Sequence, residues 1–375
     1  MGAERLMDLV RSEVRSLAPY VAGKAPQPRK GRTLKLASNE NLVIDNSDVN
    51  RFLVKVLRSS LAYYPDSHQH DLKEAISAFL LRYHYEVSPD QIVLGDGSGE
   101  TIQMVMEALV APGEGVCIPE KSFSLYRSRA LLAGATVVEV KRREDFSIDL
   151  ESLLAYSKRE HPKMVVFANP DNPTSTWHPL EEIERFLAQL PEDVVVLLDE
   201  AYIHFADWNR TALSLVKRYP NLMVMHTLSK AFGLAALRVG YVVCHPLLAR
   251  EIEKIRLPFN LGLLPQKGAT YRLQHPERVW KSVAIIQRER ERLSSFLAGE
   301  GFWVLPAGGN FVFCDFGTGY ERMLHYLEEN GITVRSLRSF GFEPNHVRIT
   351  VGGPSQMAYF RQVFSRAVRL AQGAK

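Results

Sequence analysis

The sequence predicts an α/β protein with two parts: a large domain whose mostly parallel central sheet is flanked by helices, and a smaller α+β domain. The chain has 375 residues, which is more than one hydrophobic core usually holds. Between about residues 70 and 245, strand-like and helix-like patterns alternate, and this predicts a parallel sheet covered on both faces. After Pro265, one long charged helix precedes short strands and helices, an order that is typical of an α+β domain.

Each predicted element follows from local hydrophobic periodicity. In the large domain we predict strands over 91–94, 115–118, 135–140, 164–168, 194–198 and 222–226, and helices over 71–85 and 100–110. In the small domain we predict helices over 276–299, 320–329 and 355–370, and strands around 311–313, 332–334 and 347–349. The predicted divisions of the chain are an N-terminal arm over 1–32 that packs with the small domain, a large domain over 33–265 and a small domain over 266–375.

Composition and charge exclude several classes of protein. The net charge is only +4, and the densest charged stretch, 287–292, alternates in sign, which is typical of a solvated helix face rather than a nucleic-acid-binding surface. No apolar run approaches the roughly 20 residues needed to cross a bilayer, and the start of the chain lacks the apolar core of a signal peptide. Cys117, Cys244 and Cys314 form no CxxC pair, which favours a reducing compartment and disfavours a metal cluster. We therefore predict a cytoplasmic protein without a metal site, nucleic-acid partner or membrane contact.

Two turn segments follow predicted strands, at the end of a parallel sheet where ligands usually bind. In the first, Gly97, Ser98 and Gly99 lead into a helix whose free N–H groups and dipole favour a phosphate. A plain tight turn explains these residues about as well, and their glycine spacing differs from that of the dinucleotide-binding motif. In the second, two prolines fix the loop around Asn172, although in isolation this would be an ordinary turn.

An acidic residue follows a predicted buried strand. Asp199 comes directly after the apolar run 194–198, where a carboxylate is costly unless it meets a positive partner. A protonated pyridine nitrogen would be such a partner, and the acid would then keep that ring electron-withdrawing. Tyr202, three residues later, could donate a hydrogen bond to a hydroxyl on the same ring. The alternative is a structural aspartate that caps a helix.

Lys230 supplies the remaining chemistry. It stands in a turn-rich segment with Thr227 and Ser229 before it and Arg238 eight positions later. Its amine could bond covalently to an aldehyde and carry a proton, while the two hydroxyls and the guanidinium could bind a phosphate. A lone lysine is usually a surface residue, so the prediction depends on the whole set. Together these residues predict a site for pyridoxal 5'-phosphate.

Short motifs also occur along the chain in a specific order. They are Ser-Leu-Ala-Pro-Tyr at 16–20, Leu-Ala-Ser-Asn-Glu-Asn at 36–41, Tyr-Pro-Asp at 64–66, Gly-Asp-Gly-Ser-Gly-Glu at 95–100, Asn-Pro-Asp-Asn-Pro-Thr at 169–174, Asp-Glu-Ala-Tyr at 199–202, Thr-Leu-Ser-Lys at 227–230 and Val-Arg-Ile-Thr-Val-Gly at 347–352. The ordered set resembles the histidinol-phosphate aminotransferase family, whose members are fold-type I pyridoxal-phosphate-dependent enzymes. The resemblance covers essentially the whole chain and is more specific for the cofactor than for the substrate.

The resemblance implies a role for each matching residue. The catalytic residues would be Lys230, Asp199 and Tyr202. The cofactor would be bound by Gly97, Ser98, Gly99, Phe123, Asn172, Asp199, Tyr202, Thr227, Ser229, Lys230 and Arg238, with Phe123 stacked on the ring. Tyr64 would reach the cofactor phosphate of a neighbouring subunit, which implies a homodimer. The substrate would be bound by Tyr20, Asn41, Arg335 and Arg348.

The implied reaction is transamination between L-histidinol phosphate and 2-oxoglutarate, giving imidazole acetol phosphate and L-glutamate in histidine biosynthesis. Arg335 and Arg348 lie on adjacent predicted strands and could bind a phosphate in one half-reaction and carboxylates in the other, although Arg338 could replace Arg335. The alternatives on the same scaffold are an aromatic or broad-specificity amino-acid aminotransferase and a decarboxylase of a phosphorylated amino acid. A non-catalytic regulator and a nicotinamide-dependent dehydrogenase are further alternatives, which the residues favour less.

Several positions depart from the pattern of the family. Leu42 follows Asn-Glu-Asn where the family usually has proline, and the next stretch is unusual, which leaves the substrate open. Ser175 and Ala236 replace usual glycines, Gly99 stands where an acid is common, and Phe123 replaces a more usual tyrosine. None of these changes removes a group that the predicted chemistry requires.

Overall fold

The computed structural model describes residues 9–27, 31–58 and 61–373. In this part of the chain the strands are β1 (Leu34–Leu36), β2 (Ile92–Asp96), β3 (Gly115–Pro119), β4 (Thr136–Val140), β5 (Met164–Ala168), β6 (Val195–Asp199), β7 (Leu222–Thr227), β8 (Val239–Val243), β9 (Trp303–Val304), β10 (Phe311–Asp315), β11 (Ile332–Ser336) and β12 (His346–Thr350). The helices are α1 (Ser12–Arg15), α2 (Ser47–Val56), α3 (His70–Leu81), α4 (Gly97–Leu109), α5 (Ser124–Leu132), α6 (Leu150–Glu160), α7 (Leu180–Leu187), α8 (Ile203–Ala206), α9 (Pro246–Glu253), α10 (Leu263–Gln274), α11 (Glu277–Gly299), α12 (Tyr320–Glu329) and α13 (Pro354–Ala371).

The larger sheet has seven strands in the order β2-β8-β7-β6-β5-β3-β4. All neighbours pair in parallel except that β8 runs antiparallel to both β2 and β7. Every residue of β5, β6, β7 and β8 is buried, as expected for central strands covered by helices on both faces. The predicted fold class is confirmed by this mostly parallel sheet.

The smaller sheet has five strands in the order β1-β11-β12-β10-β9. Its pairs are antiparallel except for β1 and β11. The helix α11 packs against β9, β10 and α13, and α12 packs against α13 and β11. This half of the molecule has the α+β organisation that the sequence predicts.

Most predicted elements are present, and the differences have local causes. Each predicted strand lies within two residues of an observed one. The predicted helix 71–85 ends earlier, at Leu81, because the chain turns at His84 with a φ of 67°. The elements that the sequence did not predict include β1, β8, β9 and the helices α2, α9 and α10, and β8 is the one antiparallel strand of the larger sheet.

Two elements do not fit the predicted domain boundaries. The strand β1, on the large-domain side of residue 33, pairs with β11 in the smaller sheet. The helix α10 spans the predicted boundary at 265 and packs against α2 and α3. The division into an arm, a large domain and a small domain stays a prediction. Among the described residues, none of the helices combines the length and apolarity that crossing a membrane requires.

Candidate active site

A cavity of about 440 Å³ lies where the parallel strands of the larger sheet end and the smaller sheet begins. The strands β2, β3, β5, β6 and β7 all lead into it at their carboxyl ends, which is the binding edge of an open α/β sheet. The predicted site residues that line it are Tyr20, Ser98, Gly99, Phe123, Asn172, Asp199, Tyr202, Thr227, Ser229, Lys230, Arg238, Arg335 and Arg348. The structure therefore brings most of the predicted site together.

One end of the cavity carries donors suited to a phosphate. The helix α4 begins at Gly97, which has a φ of 70°, and a Cβ atom there would overlap the guanidinium of Arg238. Gly240 on β8 is packed as closely, because a Cβ there would overlap the backbone of Ser98. Arg238 donates to Ser229 Oγ at 3.3 Å. The guanidinium of Arg238, the hydroxyls of Ser98 and Ser229 and the N-terminus of α4 thus lie at the same end of the cavity, which favours the binding of an anion.

Asp199 lies at the base of the cavity, 5% exposed. Its carboxylate accepts hydrogen bonds from Tyr126 Oη at 2.6 Å and from the backbone N–H of Ala201 at 2.9 Å. Burial raises the pKa of Asp199 above its ordinary value, although these two hydrogen bonds act in the opposite direction. A positive group in the cavity would therefore be stabilised by this acid and would keep it ionised.

The amine of Lys230 lies in the same cavity and donates to the carbonyl of Ser38 at 3.0 Å. Burial, reinforced by the positive charge of Arg348, lowers the pKa of Lys230 to about 7. Both the neutral and the protonated amine are consequently accessible near neutral pH. Such an amine can act as a nucleophile and as a carrier of protons.

Two polar side chains lie beside Lys230 and Asp199. Tyr202 Oη accepts a hydrogen bond from Asn39 Nδ2 at 3.1 Å, and Asn39 is in turn bonded through its backbone N–H to Thr350 Oγ1 at 3.0 Å. Asn172 accepts a hydrogen bond from Arg348 through its side-chain oxygen, so its amide NH₂ remains a donor. The hydroxyl of Tyr202 and the amide of Asn172 are therefore both positioned by residues of, or next to, the smaller sheet.

The opposite end of the cavity is positively charged. Arg335 and Arg348 are direct partners in the antiparallel pair of β11 and β12, so their side chains are on one face. Arg348 donates to the carbonyl of Ala37 at 3.0 Å, and Arg335 donates to that of Val21 at 2.6 Å. Burial lowers the pKa of Arg348 to about 10, which leaves it protonated at neutral pH. The ring of Phe340 lies 5.6 Å from the Arg335 guanidinium and 5.9 Å from that of Arg348.

Comparison with known proteins agrees with this geometry. The model of the aminotransferase class I and II family matches residues 32–364. The chain belongs to the aminotransferase class I and II family. It is 36% identical over 354 residues to a histidinol-phosphate aminotransferase of Anaeromyxobacter sp. (strain Fw109-5), covering 92% of this chain and 95% of that one. It is 35% identical over 373 residues to histidinol-phosphate aminotransferase 2 of Ralstonia nicotianae, covering 96% and 97%.

A solved relative shares the fold. The histidinol-phosphate aminotransferase of Sinorhizobium meliloti, in complex with pyridoxal-5'-phosphate, superposes with a TM-score of 0.84 at 27% identity, covering 96% of this chain and 98% of that one. The resemblance found in the sequence motifs is confirmed by these matches. The cavity described above therefore lies in an aminotransferase scaffold.

Three predicted residues do not line the cavity of this family member: Gly97, which lies against the cavity residue Arg238, and Asn41 and Tyr64. The amide of Asn41, predicted to bind substrate, donates to the carbonyl of Ala231 and to Ser282 Oγ, both at 2.9 Å, so the structure does not bring it to the substrate end. Tyr64 is 80% exposed and stacks on Phe259 with the ring centres 4.3 Å apart. Within a single subunit Tyr64 therefore does not reach the cavity, and its predicted contact requires a second copy of the chain.

Sequence reasoning missed several residues of the site, among them Asn39, Phe340 and Tyr126. Asn39 lines the cavity, but its place depends on a φ of 54° and on a bond to a residue 311 positions away, which no local pattern reveals. Phe340 lines it through a short turn after β11. Tyr126 contacts Asp199 and lies three residues after Phe123, so helical spacing after the predicted stacking residue was a signal that could have found it.

The structure shows the surroundings of two residues, Ser175 and Leu42, that depart from the family pattern. Ser175 has a φ of 67°, a conformation that glycine adopts more readily, and its hydroxyl donates to Phe311 O at 3.1 Å while accepting from Gly309 N at 2.8 Å. These hydrogen bonds help to hold the serine where the family usually has glycine. Leu42 packs against the main hydrophobic core and does not line the cavity.

Proposed function

We propose that this protein is a pyridoxal-phosphate-dependent aminotransferase that transfers the amino group of L-histidinol phosphate to 2-oxoglutarate, giving imidazole acetol phosphate and L-glutamate. The observation that carries the proposal is a single cavity with Lys230 and Asp199 at its base and the paired guanidiniums of Arg335 and Arg348 at its other end. The base fits the cofactor and the guanidiniums fit an anionic substrate. The names of the relatives support the substrate, because this chain covers nearly their full length.

The residues present fit pyridoxal phosphate. The buried acid Asp199 would pair with the ring nitrogen, and the cradle of Ser98, Ser229 and Arg238 would bind the phosphate. The close approach of Gly97 to Arg238 leaves no room for a side chain there, which suits a site where backbone N–H groups meet an anion. Phe123 would stack on one face of the ring, and Asn172 and Tyr202 would contact its hydroxyl.

Each side chain then has a definable task. When bound, the cofactor supplies an electron sink that stabilises negative charge on the α-carbon of the amino substrate. Lys230 Nζ, with a pKa of about 7, accepts a proton as the amine and returns it as the ammonium. Asp199 would hold the ring nitrogen protonated, and Tyr126 and the N–H of Ala201 orient that carboxylate.

The substrate end suits a molecule that combines a ring with an anion. Arg335 and Arg348 can each form two parallel hydrogen bonds to a phosphate or carboxylate. Phe340, whose ring lies 5.6 Å from the Arg335 guanidinium and 5.9 Å from that of Arg348, offers an apolar surface. Tyr20, 63% exposed, also lines the cavity. A phosphate monoester with a small aromatic ring satisfies both features, and the two carboxylates of 2-oxoglutarate satisfy the guanidiniums in the second half-reaction.

The active form we propose is a homodimer in which Tyr64 contacts the cofactor phosphate of the neighbouring subunit. Tyr64 is exposed together with Leu61, Tyr63 and Leu257. Exposed apolar groups that are close together are typical of a surface that a partner covers. A location in the cytoplasm also stays a prediction.

A panel of amino donors tests this function. Glutamate formation from 2-oxoglutarate is measured with L-histidinol phosphate, with phenylalanine or tyrosine, and with a phosphorylated amino acid, while carbon dioxide release is monitored. We expect kcat/KM to be highest with histidinol phosphate. Turnover of aromatic amino acids without turnover of histidinol phosphate would instead make the protein an aromatic aminotransferase, and carbon dioxide release without glutamate would make it a decarboxylase.

A further inference from the structure

Arg142 and Asp171 form a buried ion pair that takes no part in the chemistry of the proposed function. Arg142 and Asp171 are each only 1% exposed in their side chains, and the guanidinium lies 3.1 Å from Asp171 Oδ2 and 3.2 Å from Oδ1. Neither residue lines the cavity. An arginine buried so completely is costly unless all of its donors are satisfied, so its other hydrogen bonds indicate what it connects.

Those hydrogen bonds reach two further segments of the chain. Arg142 Nε donates to the carbonyl of Glu120 at 2.8 Å, and Nη2 lies 3.4 Å from Ser122 Oγ. Nη1 donates to the carbonyl of Phe146 at 3.0 Å. One side chain thus joins the loop after β3 and the turn after β4 to the loop after β5 that contains Asp171.

Two of these loops carry residues of the cavity. The loop after β3 continues from Ser122 directly into Phe123, and the loop after β5 continues from Asp171 directly into Asn172, both of which line the cavity. Asp171 also accepts hydrogen bonds from the hydroxyl of Thr174 at 2.7 Å and from its N–H at 3.3 Å. The carboxylate therefore holds the turn around Asn172 closed while the guanidinium holds it against the neighbouring loop.

We propose that Arg142 is a positioning residue for the cofactor ring: through Asp171 and Ser122 it fixes the amide of Asn172 relative to the ring of Phe123. The planar fork of the guanidinium is what the task requires, since it donates in several fixed directions at once. A lysine would keep the charge opposite Asp171 but could not maintain all of these contacts. The inference rests on the proposed function, because it assumes that Phe123 and Asn172 contact pyridoxal phosphate.

The test compares two variants with a matched control. The first variant, Asp171→Asn, removes the charge of a buried carboxylate that pairs with arginine. The control, Glu289→Gln, makes the same kind of change away from the cavity: Glu289 is 1% exposed and pairs with Arg292 at 2.7 Å and with Arg361 at 3.4 Å. Arg142→Lys is the second variant. For each holoenzyme we measure the dissociation constant of pyridoxal phosphate, the pH midpoint of the absorbance change of the bound cofactor, kcat and KM for the amino donor, and the melting temperature.

We expect Asp171→Asn and Arg142→Lys to raise the cofactor dissociation constant roughly tenfold or more, since charge-assisted hydrogen bonds are lost next to the ring contacts, and to shift the absorbance midpoint. Glu289→Gln should lower the melting temperature without either effect. If the two variants only lower the melting temperature, as the control does, Arg142 has a merely structural role and the inference fails. Should Arg142→Lys not fold, the readouts of Asp171→Asn decide alone.

A double-mutant cycle tests the route of the effect. If Arg142 acts through Asn172, the increase in the dissociation constant caused by Arg142→Lys should be at least about threefold smaller in an Asn172→Ala background than in the wild type. Fully additive effects would overturn the inference. The dissociation constants and absorbance midpoints need no turnover. Failure of the inference therefore differs from failure of the proposed function, in which the wild-type protein would not bind pyridoxal phosphate or would bind it without transferring amino groups.

Discussion

At the scale of single residues, the site depends on an acid that its surroundings do not fully stabilise. Burial raises the pKa of Asp199, and the hydrogen bonds from Tyr126 and Ala201 only partly oppose this. A cationic ring nitrogen would complete the environment, because a buried charge is stable when it is both paired and hydrogen-bonded. The same pairing would keep the ring electron-withdrawing.

Replacing this acid should therefore impair chemistry more than folding. Asp199→Asn keeps the shape of the side chain but removes its charge, and breaking a buried pair costs roughly 3–5 kcal/mol, so we expect kcat to fall on the order of a hundredfold or more. Tyr126→Phe removes one hydrogen bond and leaves the charge, so a smaller decrease is expected. Steady-state rates at saturating cofactor measure both, and near-normal rates for Asp199→Asn would contradict the electron-sink role.

Lys230 gives a prediction about pH. Its pKa is lowered to about 7, so the amine is mostly protonated below this pH, where only a minor neutral fraction can attack an aldehyde, and mostly neutral above it. The rate at which the apoenzyme incorporates pyridoxal phosphate should rise through pH 7 and level off above about pH 8, while an ordinary lysine of pKa ~10.4 would give a continuing rise. Stopped-flow absorbance measures the rate.

Arg348 provides the control for this pH dependence, because its positive charge contributes to the lowered pKa of Lys230. In Arg348→Gln that repulsion is absent, and the midpoint of the incorporation rate should move to higher pH. An unchanged midpoint would mean that the charge of Arg348 does not act on the amine.

The residues that the sequence predicts best are those whose neighbours in the chain already define their place. Asp199 ends an apolar strand, and Lys230 follows another strand by three residues. Asn39 was missed because its position is set by a left-handed backbone conformation and by Thr350, far away along the chain. Asn41 was chosen from the same motif, but its amide is used to hold the loop after Lys230 through the carbonyl of Ala231.

At the scale of elements, the start of α4 is where the backbone bears most directly on the proposed phosphate site. Gly97 has a φ of 70° and lies against Arg238. Gly97→Ala would add strain in the left-handed region and displace the guanidinium, and we expect the cofactor dissociation constant to rise roughly tenfold. Equilibrium dialysis measures this constant.

Gly299→Ala is the matched control for that substitution, because Gly299 also lies at the end of a helix but a Cβ atom there meets open space. The control should bind the cofactor like the wild type. If Gly97→Ala did so as well, the close approach of the backbone to Arg238 would not be part of the phosphate site.

The central strands of the larger sheet were easier to predict than the short strand β1. The central strands are continuous apolar runs, and periodicity identifies them. The three-residue strand β1 pairs with β11 nearly three hundred positions later, and nothing in three residues encodes such a partner. For the same reason the predicted boundary at 33 assigns β1 to the large domain, although β1 pairs with β11 in the smaller sheet.

At the scale of the whole molecule, the proposed contact of Tyr64 with the cofactor phosphate requires two subunits. Lys230 lies within one subunit, whereas Tyr64 lies on an exposed surface outside the cavity. If Tyr64 acts across the interface, each site combines Lys230 of one subunit with Tyr64 of the other. A hybrid dimer of a Lys230→Ala subunit and a Tyr64→Ala subunit then has one complete site, in the Tyr64→Ala subunit, and one site with both defects. Each variant alone should have low activity.

Mixing the two variants after dissociation and reassociation should restore about a quarter of the wild-type activity, since half of the dimers are hybrids with one complete site each. Mixing without dissociation is the control and should restore none. If reassociated mixtures show only the average of the two variants, Tyr64 does not act from the neighbouring subunit.

The proposed chemistry depends above all on the attachment of pyridoxal phosphate through Lys230. The most direct measurement is to incubate the protein with the cofactor, reduce it with borohydride, digest it and locate the modified lysine by mass spectrometry. We expect the cofactor to be attached to the peptide that contains Lys230 and to no other lysine in comparable yield. Attachment at a different lysine, or an unmodified peptide around Lys230, would contradict it.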